Sequence, residues 1–248
     1  MHGRGGHLLF LSFFLLSAIQ PVCAACIDAA QLAHTTVSIM RYFDDAERNE
    51  RPGLVGVRGT GWFLSPRTIV TAEHVTAGMK LSTDEWKSLE IMDGDRRHFI
   101  AARVQRLVGA QAERLAVIEL QRAVSDARSV TIRKEPLLPE EQVITLAYPA
   151  GQLQPVTGRF VRFGDDGKLT GMALLEFFEG DNRLIIDHGA SGAPVIDCNG
   201  RVAAVVSNVF TQSIEWASHQ IRISTAWGTP NVVSVPVQAL ALDDPSRT

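Results

Sequence analysis

The chain has 248 residues, of which 46% are hydrophobic, 21% are charged and 7% are aromatic. This composition is that of a globular protein and excludes a disordered chain, a collagen and a coiled coil. The formal net charge of −3 argues against nucleic acid as a partner bound through a basic face. The length allows one large domain or two small ones, each with its own core.

The chain begins with a segment typical of a secretory signal peptide. Arg4 precedes the apolar run of residues 8–19, which is too short to anchor the chain in a bilayer. Small residues around Cys23 and Ala24 then match the sites that signal peptidase cleaves. We expect residues 1–24 to be removed, and the mature protein to be exported to the periplasm or the extracellular medium without further membrane association.

Export changes the interpretation of the cysteines. Cleavage leaves Cys26 and Cys198 as the remaining cysteines. In an oxidising compartment these two residues can form a disulfide that closes a long loop, or they can stay as two buried thiols. The sequence contains no cluster of Cys and His with metal-ligand spacing, so we expect neither a metal nor a cofactor.

The rest of the mature chain consists of short apolar and β-branched runs that are separated by turns. Turn chemistry is clear at Ser65-Pro66, Asp93-Gly94 and Asn199-Gly200. The runs that predict strands are 35–40, 61–64, 68–71, 101–108, 115–120, 143–147, 156–163, 184–186, 202–206 and 232–235. Frequent strands with few crossover helices predict an all-β fold of antiparallel barrels or sandwiches.

A charged segment with two prolines, residues 134–141, is the best candidate for an internal linker. It divides the mature chain into an N-terminal unit over residues 25–133 and a C-terminal unit over residues 142–248. The two units are of similar size. A short helix is expected over residues 237–242, and a second helix is a candidate around residues 84–89.

Two segments carry the residue types of an acyl-transfer site. In residues 59–75, two apolar strands joined by a Pro-Arg turn deliver His74 just past a strand end. Further along, Ser191 lies between Gly189 and Gly192, so its hydroxyl can be exposed and nearby N–H groups can converge on one point. Acyl transfer needs a nucleophile, a base and preorganised donors for the oxyanion. Each segment alone is commonly structural, but together they predict a hydrolase.

The same segments resemble the chymotrypsin-fold serine proteases, and among them the bacterial Deg/HtrA-type branch. The matching motifs, in the order of that family, are GTGWFLSP and IVTAEHV around His74, LAVIEL at 115–120, LAYPAG at 146–151 and GASGAPV at 189–195. The resemblance implies two antiparallel six-stranded β-barrels with the active site in the cleft between them. The chain ends soon after the second barrel, so no PDZ module is expected.

The resemblance also implies roles for individual residues. Ser191 would be the nucleophile and His74 the general base, and the N–H groups of Gly189 and Ser191 would form the oxyanion hole. The substrate would be a protein or a peptide, and no cofactor would be needed. The protein is therefore expected to be a serine endopeptidase.

One position departs from the pattern of the family. The family has an Asp directly before the Leu-Ala run, whereas this chain has Arg114, and a guanidinium would disfavour the imidazolium formed during catalysis. Glu113 precedes it, but neighbouring side chains in a strand face opposite ways, so a β-bulge or a register change would have to turn Glu113 towards His74. We predict Glu113 as the surrogate acid. Asp93 or Asp95 are more remote substitutes, and a Ser–His dyad of reduced activity is the further alternative.

The resemblance also suggests where the substrate side chain binds. The residue six positions before the nucleophile, here Ile185, would lie at the base of the pocket for the residue that precedes the scissile bond. A strand beginning at Ser207 would line the walls, with Val209 where a glycine would leave the pocket open. We expect a shallow apolar pocket that prefers small or medium aliphatic residues.

Two other functions remain open at this point. Residues 189–193 loosely match the G-x-S-x-G elbow of α/β-hydrolases, although Pro194 and the β-rich segment after it disfavour the helix that this elbow needs. The other candidate is a secreted barrel that binds peptides or proteins without cutting them. Arg114 favours this second function, and the intact His74 and Ser191 oppose it.

Overall fold

The computed structural model describes residues 26–32, 34–109, 113–165, 167–177, 189–209, 211–216, 219–224 and 230–242. For residues 208–209, 211–216, 219–224 and 241–242 it describes the backbone alone. The predicted signal peptide therefore lies outside the described residues, and so does Ile185. Within the described part of the chain, no helix combines the length and the apolar character needed to cross a membrane.

These ranges contain fifteen β-strands and three short α-helices. In chain order they are β1 Thr36–Tyr42, α1 Asp45–Glu50, β2 Gly56–Ser65, β3 Thr68–Ala72, α2 Glu73–Gly78, β4 Lys87–Asp93, β5 Arg96–Val108, β6 Leu115–Leu120, β7 Thr131–Ile132, β8 Gln142–Ala147, β9 Gln154–Phe163, β10 Ala173–Phe177, β11 Pro194–Asp197, β12 Arg201–Val209, β13 Thr211–Trp216, β14 His219–Ser224, β15 Val232–Pro236 and α3 Gln238–Leu242. Short 3-10 turns occupy Ala29–Leu32, Pro149–Gly151 and Gly167–Leu169.

Six strands of the N-terminal half form a closed barrel in the order β1-β2-β3-β6-β5-β4, and β4 completes the ring by pairing with β1. All of these pairings are antiparallel. Alternate residues of each strand point inwards, so Phe63, Ile69 and Leu89 fill the interior. The helix that was a candidate around residues 84–89 is not formed, because this segment leads into β4, which is paired with both β1 and β5.

A second barrel follows in the order β11-β8-β9-β10-β15-β12, and the antiparallel pairing of β12 with β11 closes it. Phe160 and Phe177 are fully buried in its interior. β7 precedes the predicted linker, yet it pairs in parallel with β12 of this second barrel. β13 and β14 form a separate antiparallel ribbon. The predicted all-β architecture of two antiparallel six-stranded barrels is confirmed.

The outer faces of several strands pack one barrel against the other. Trp62, Val70 and Val117 of the first barrel join a cluster with Leu146 and Ile196 of the second, and all five are buried. The neighbours of these residues point into their own barrels, so such strands are buried on both faces. This double burial explains why IVTA and LAVIEL are mostly apolar, with Thr71 and Glu119 as their polar residues, instead of alternating regularly with polar residues.

Candidate active site

His74 and Glu113 face each other just beyond the paired ends of β3 and β6. The two strands pair without a register shift. Where the ladder ends, at the first residue of α2, the N–H of Glu73 donates to the carbonyl of Arg114 at 2.9 Å, so the two segments stay adjacent. The structure brings Nδ1 of His74 to 3.5 Å from Oε2 of Glu113. His74 lies in the first turn of α2 and Glu113 lies before β6, so the alternation of strand side chains does not extend to this pair, and no β-bulge is involved between β3 and β6.

Arg114 is directed to a different partner. Its Nε donates to Oε2 of Glu73 at 2.7 Å, and its Nη2 donates to Oε1 of the same carboxylate. These hydrogen bonds, together with the negative charge of Glu73, raise the pKa of Arg114. The carboxylate of Glu73 thus holds the guanidinium of Arg114, whereas the carboxylate of Glu113 faces His74.

Ser191 lies in a tight loop that leads into β11. Gly189 and Gly192 on either side have φ angles of +101° and +93°, which glycine adopts without steric penalty. The N–H of Gly192 donates to the carbonyl of Val206 on β12 at 2.7 Å, which fixes the loop to the second barrel. A strand follows the serine where an α/β-hydrolase elbow would need a helix. The structure therefore removes the α/β-hydrolase hypothesis.

Ser207 connects the acid to the nucleophile. Its hydroxyl donates to Oε2 of Glu113 at 3.0 Å, and its carbonyl accepts a hydrogen bond from Oγ of Ser191 at 3.1 Å. One oxygen of Glu113 thus faces both His74 and Ser207. Ser207 itself is 1% exposed, so the link between Glu113 and Ser191 passes through a buried residue at the base of a partly exposed site. Contacts of 3.0–3.5 Å therefore link His74 of the first barrel to Ser191 of the second.

The Ser191 hydroxyl bonds to Ser207 in this structure, and no hydrogen bond joins it to His74. The side chains of His74 and Glu113 are 45% and 39% exposed, so the cleft is open to solvent. A serine hydroxyl is redirected by rotation about a single side-chain bond. Hydrogen bonds between catalytic groups commonly tighten only when the substrate is bound.

Thr60 on β2 joins the first barrel to the loop of Ser191. Its N–H donates to the carbonyl of Ser191 at 2.9 Å, and its hydroxyl donates to the carbonyl of Gly189 at 2.6 Å. The same hydroxyl accepts a hydrogen bond from the N–H of Tyr148 at 3.0 Å. A Cβ at Gly192 would overlap the carbonyl of Thr60, so the loop docks where a side chain has no room. Among the described residues, the N–H groups of Gly189 and Ser191 have no backbone acceptor and are available as donors.

Thr60 was not identified from the sequence, although the glycines on either side of it indicated a closely packed strand. A Cβ at Gly59 would lie 2.5 Å from a methyl group of Val75, and one at Gly61 would lie 2.5 Å from a methyl group of Ile69. The two glycines of the G-T-G motif therefore mark a strand that other parts of the chain approach closely. The role of Ser207 between Glu113 and Ser191 was also missed, because no local pattern around Ser207 indicates it.

The more remote acids do not reach His74. Oδ1 of Asp93 is 2.8 Å from Nδ1 of His34, and the carboxylate of Asp93 is buried. Asp95 is exposed in the turn between β4 and β5. The hydroxyl of Tyr148 supports this turn by accepting a hydrogen bond from the N–H of Gly94 at 3.3 Å, and burial raises the pKa of Tyr148.

Of the predicted pocket residues, Ser207 alone has a described side chain. Ile185 lies outside the described residues, and Val209 is described as the backbone of the last residue of β12. The strand expected to begin at Ser207 begins at Arg201, so Ser207 lies well within β12. The register between β12 and β15 shifts directly beyond Val206, which is where the strand passes the site.

Cys26 and Cys198 form a disulfide in the structure. The two residues are separated by 172 positions in the chain. Next to the disulfide, the N–H of Ile27 donates to the carbonyl of Cys198 at 3.3 Å. The described N-terminal segment is therefore attached to the turn between β11 and β12 of the second barrel.

Comparison with known proteins agrees with this geometry. Residues 59–205, more than half of the chain, match the family model of the trypsin-like peptidase domain. No curated protein matches the sequence at a significant level.

Solved protease structures share the fold at low sequence identity. The Rv3671c protease from M. tuberculosis in its active form is 19% identical, with 94% of this chain and 92% of that chain covered and a TM-score of 0.58. The HtrA-type protease AlgW with a tripeptide is 16% identical, with 86% and 60% covered and a TM-score of 0.55. Deg5 is 15% identical, with 86% and 88% covered and a TM-score of 0.55. At these identities the likeness concerns the fold.

Proposed function

The chain belongs to the family of trypsin-like peptidase domains, and from this premise we propose that it cleaves peptide bonds through an acyl-enzyme on Ser191. His74 takes the proton of the Ser191 hydroxyl as that oxygen attacks the scissile carbonyl. His74 then gives the proton to the leaving amine, and water releases the acyl group in a second, equivalent step. The N–H groups of Gly189 and Ser191 donate to the oxyanion.

The continuous set of contacts from His74 through Glu113 and Ser207 to Ser191 carries this proposal. It brings a base, a carboxylate and a nucleophile from distant parts of the chain into one cleft. A structural role would not require an exposed imidazole to face an exposed carboxylate across two strand ends. In the proposed mechanism the hydroxyl of Ser191 rotates about its side-chain bond, leaves the carbonyl of Ser207 and donates to His74.

In this mechanism Glu113 is the third member of the triad. Its carboxylate stabilises the imidazolium that forms when His74 accepts the proton, and it orients the ring through Nδ1. The hydrogen bond from Ser207 holds the carboxylate in place. The pairing of Arg114 with Glu73 offsets the positive charge that would disfavour the imidazolium.

We further propose that the protease prefers small or medium aliphatic residues before the scissile bond. The apolar character of Ile185 and Val209 supports this preference. Cleavage rates of peptides with Ala or Val at that position, compared with peptides that have Arg, test it. A strong preference for Arg would exclude the apolar pocket.

Export to the periplasm or the extracellular medium is part of the proposal. The charged, apolar and small-residue pattern of residues 1–24 supports it. The disulfide between Cys26 and Cys198 also supports it, since disulfides persist in oxidising compartments. N-terminal sequencing of the protein secreted by the native host would reveal a new terminus after Ala24.

A fluorophosphonate probe tests the activated serine directly. The wild-type chain should be labelled covalently, Ser191→Ala should not be labelled, and Ser125→Ala, which changes an exposed serine elsewhere, should be labelled like the wild type. Absence of labelling in a folded wild-type protein across neutral and alkaline pH would contradict the proposal. It would favour the alternative of an inactive barrel that binds peptides or proteins.

A further inference from the structure

Arg58 lies on β2 beside the docked loop of Ser191. It is two residues before Thr60, so the two side chains project to the same side of the strand. Its Nη1 donates to the carbonyl of Ala150 at 3.1 Å, in the loop that joins β8 to β9. A Cβ at Gly151 would overlap the guanidinium. Arg58 thus bridges the two barrels in a space that a glycine leaves free.

The charge of Arg58 is not balanced by a carboxylate within the described part of the chain. Its Nε is buried and has no hydrogen-bond partner there, and the bond to Ala150 uses only one of the five donors of the guanidinium. Two other arginines of the chain that are more deeply buried, Arg41 and Arg133, are each paired with a glutamate. Desolvation of a charge is normally offset by pairing, and Arg106 on β5 likewise has a buried Nε without a partner, so what distinguishes Arg58 is its position beside the loop of Ser191.

The same arginine lines a cavity that reaches the proposed oxyanion hole. The cavity has a volume of about 320 Å³ and is lined by Met40, Gly56, Arg58, Ala150 and Gly189. Because Gly189 belongs to this lining, a substrate whose carbonyl is bound there can extend directly into the cavity. Among the lining residues that the structure describes, the guanidinium is the one charged group.

The two barrels contribute different strands to the site. Ser207 on β12, which would line the pocket for the residue before the scissile bond, contacts Ser191. Thr60 on β2 contacts the carbonyls of Ser191 and Gly189, and β2 also carries Arg58 into the cavity, so the leaving segment of the substrate is assigned to the β2 side. Arg58 is about 7 Å further along β2 than Thr60, which is the span of two residues of an extended peptide.

We propose that Arg58 forms a carboxylate-binding subsite for the leaving segment of the substrate. This subsite selects substrates with an acidic side chain, or a terminal carboxylate, at the first or second residue after the scissile bond. The guanidinium keeps its bond to the carbonyl of Ala150 and donates the other N–H groups of its two Nη nitrogens to the carboxylate. The inference rests on the proposed function, because it assigns the direction of the bound peptide from the role of Ser191.

Matched fluorogenic peptides test the subsite on the full chain. They share one sequence before the scissile bond and carry Glu, Gln or Lys at the first or the second position after it. We expect kcat/KM to be about tenfold higher for Glu than for Gln, the size typical of a hydrogen bond to a charged group, and lower still for Lys. Peptides that end at the second residue as a free acid or as an amide distinguish a terminal carboxylate from an acidic side chain.

The preference should disappear with the charge of Arg58. Arg58→Gln should bring the Glu-to-Gln ratio close to one, and Arg58→Lys should give an intermediate ratio because it keeps the charge but loses the planar fork. Arg122→Gln is the matched control, since Arg122 also donates to a backbone carbonyl, that of Phe99, on an exposed surface of the first barrel. This control should keep the wild-type ratio.

Peptide binding separates failure of the subsite from failure of the protease mechanism. Fluorescence anisotropy with Ser191→Ala measures the affinity for the same peptides without cleavage, and the Glu peptide should bind about tenfold more tightly than the Gln peptide. A ratio near one in the wild type, or a ratio that survives in Arg58→Gln, overturns the subsite. Loss of cleavage and probe labelling with an intact binding preference overturns the acyl-enzyme and leaves the subsite standing.

Discussion

Glu113 and Arg114 are neighbours of opposite charge, and each contacts a different residue of the first turn of α2. The guanidinium of Arg114 donates two hydrogen bonds to the carboxylate of Glu73, while Oε2 of Glu113 lies 3.5 Å from Nδ1 of His74. The positive charge of Arg114 is therefore offset by Glu73, and the carboxylate of Glu113 remains available to the imidazole.

Replacement of Glu113 by Gln should impair catalysis strongly. The amide keeps the size of the side chain but cannot stabilise the imidazolium, so we expect kcat to fall roughly 10³–10⁴-fold, the loss typical of removing the acid from such a triad. Steady-state kinetics with a fluorogenic peptide measure it. Labelling of Ser191 by the fluorophosphonate should slow in parallel.

Arg114→Gln is the matched control for Glu113→Gln. The side chain of Arg114 is partly exposed and its charge is paired with Glu73. We therefore expect kcat of this variant to stay within about threefold of the wild-type value. Arg114→Asp gives the opposing test. A large gain in kcat in that variant, with little loss in Glu113→Gln, would show that the wild-type site works as a weakened dyad without its acid.

The residues of the site were predictable from sequence to different degrees. His74 and Ser191 follow from the local motifs around them, because a glycine-flanked serine and a histidine after a strand are visible in short windows. The orientation of Glu113 depends on its contact with His74 in α2, and α2 is distant in the chain. Thr60 and Ser207 act through contacts with the loop of Ser191 and with Glu113, and the closure of the fold creates those contacts.

At the scale of elements, β2 and the loop of Ser191 form one unit. The N–H, hydroxyl and carbonyl of Thr60 are all engaged there, the first two by the carbonyls of Ser191 and Gly189 and the third by the hydroxyl of Thr71 at 2.7 Å. The first two contacts restrict the loop that presents the proposed oxyanion donors, and the third fixes Thr60 to β3 within the first barrel. Thr60 therefore acts as a positioning residue and does not contact the reacting atoms.

Thr60→Val should lower the rate of the chemical step more than it weakens substrate binding. Valine has the shape of threonine without the hydroxyl, so the carbonyl of Gly189 and the N–H of Tyr148 lose their partner. We expect kcat to fall about 10²-fold, close to the loss of one oxyanion donor, while KM changes less than kcat. Peptide kinetics and a thermal unfolding curve are the measurements.

Thr60→Ser is the control that separates positioning from packing. Serine restores the hydroxyl and removes a methyl group, so it should recover most of kcat even though the cavity it leaves lowers stability slightly. If Thr60→Ser loses as much kcat as Thr60→Val, the hydroxyl has no part in positioning the loop. If kcat falls in proportion to stability in both Thr60→Val and Thr60→Ser, the positioning role of Thr60 is also contradicted.

Most of the strands were predictable because barrel strands are short, apolar and separated by turns. The exceptions have a physical reason. Residues 84–89 lack a clear period; the last three of them start β4 by pairing with β5, and the next residues of β4 pair with β1 as well. β7 has two residues and gains its conformation from pairing with β12. Such elements exist only because a partner from elsewhere in the chain supplies their hydrogen bonds.

At the scale of the molecule, two segments from outside the second barrel meet on its β11–β12 hairpin. Cys26 is bonded to Cys198, and Thr131 of β7 lies opposite Arg201 at the start of β12. The first barrel is formed by the chain between these two segments. Both ends of the first barrel's chain are therefore attached to the same part of the second barrel, which limits how far the barrels can separate and keeps His74 near Ser191.

Loss of the disulfide should therefore destabilise the molecule as a whole. The bond joins residues 172 positions apart, and cross-links over loops of this length contribute roughly 3–5 kcal/mol to the free energy of unfolding by restricting the unfolded chain. We expect Cys26→Ser with Cys198→Ser to lower the urea midpoint and to match the wild type under reducing conditions. Thiol titration of the unfolded, unreduced wild type should detect no free cysteine in the mature chain. Two titratable thiols in the unreduced wild type would contradict this prediction, and so would a urea midpoint that reduction does not change. Either result would show that the first barrel is held by β7 and the interface between the barrels alone.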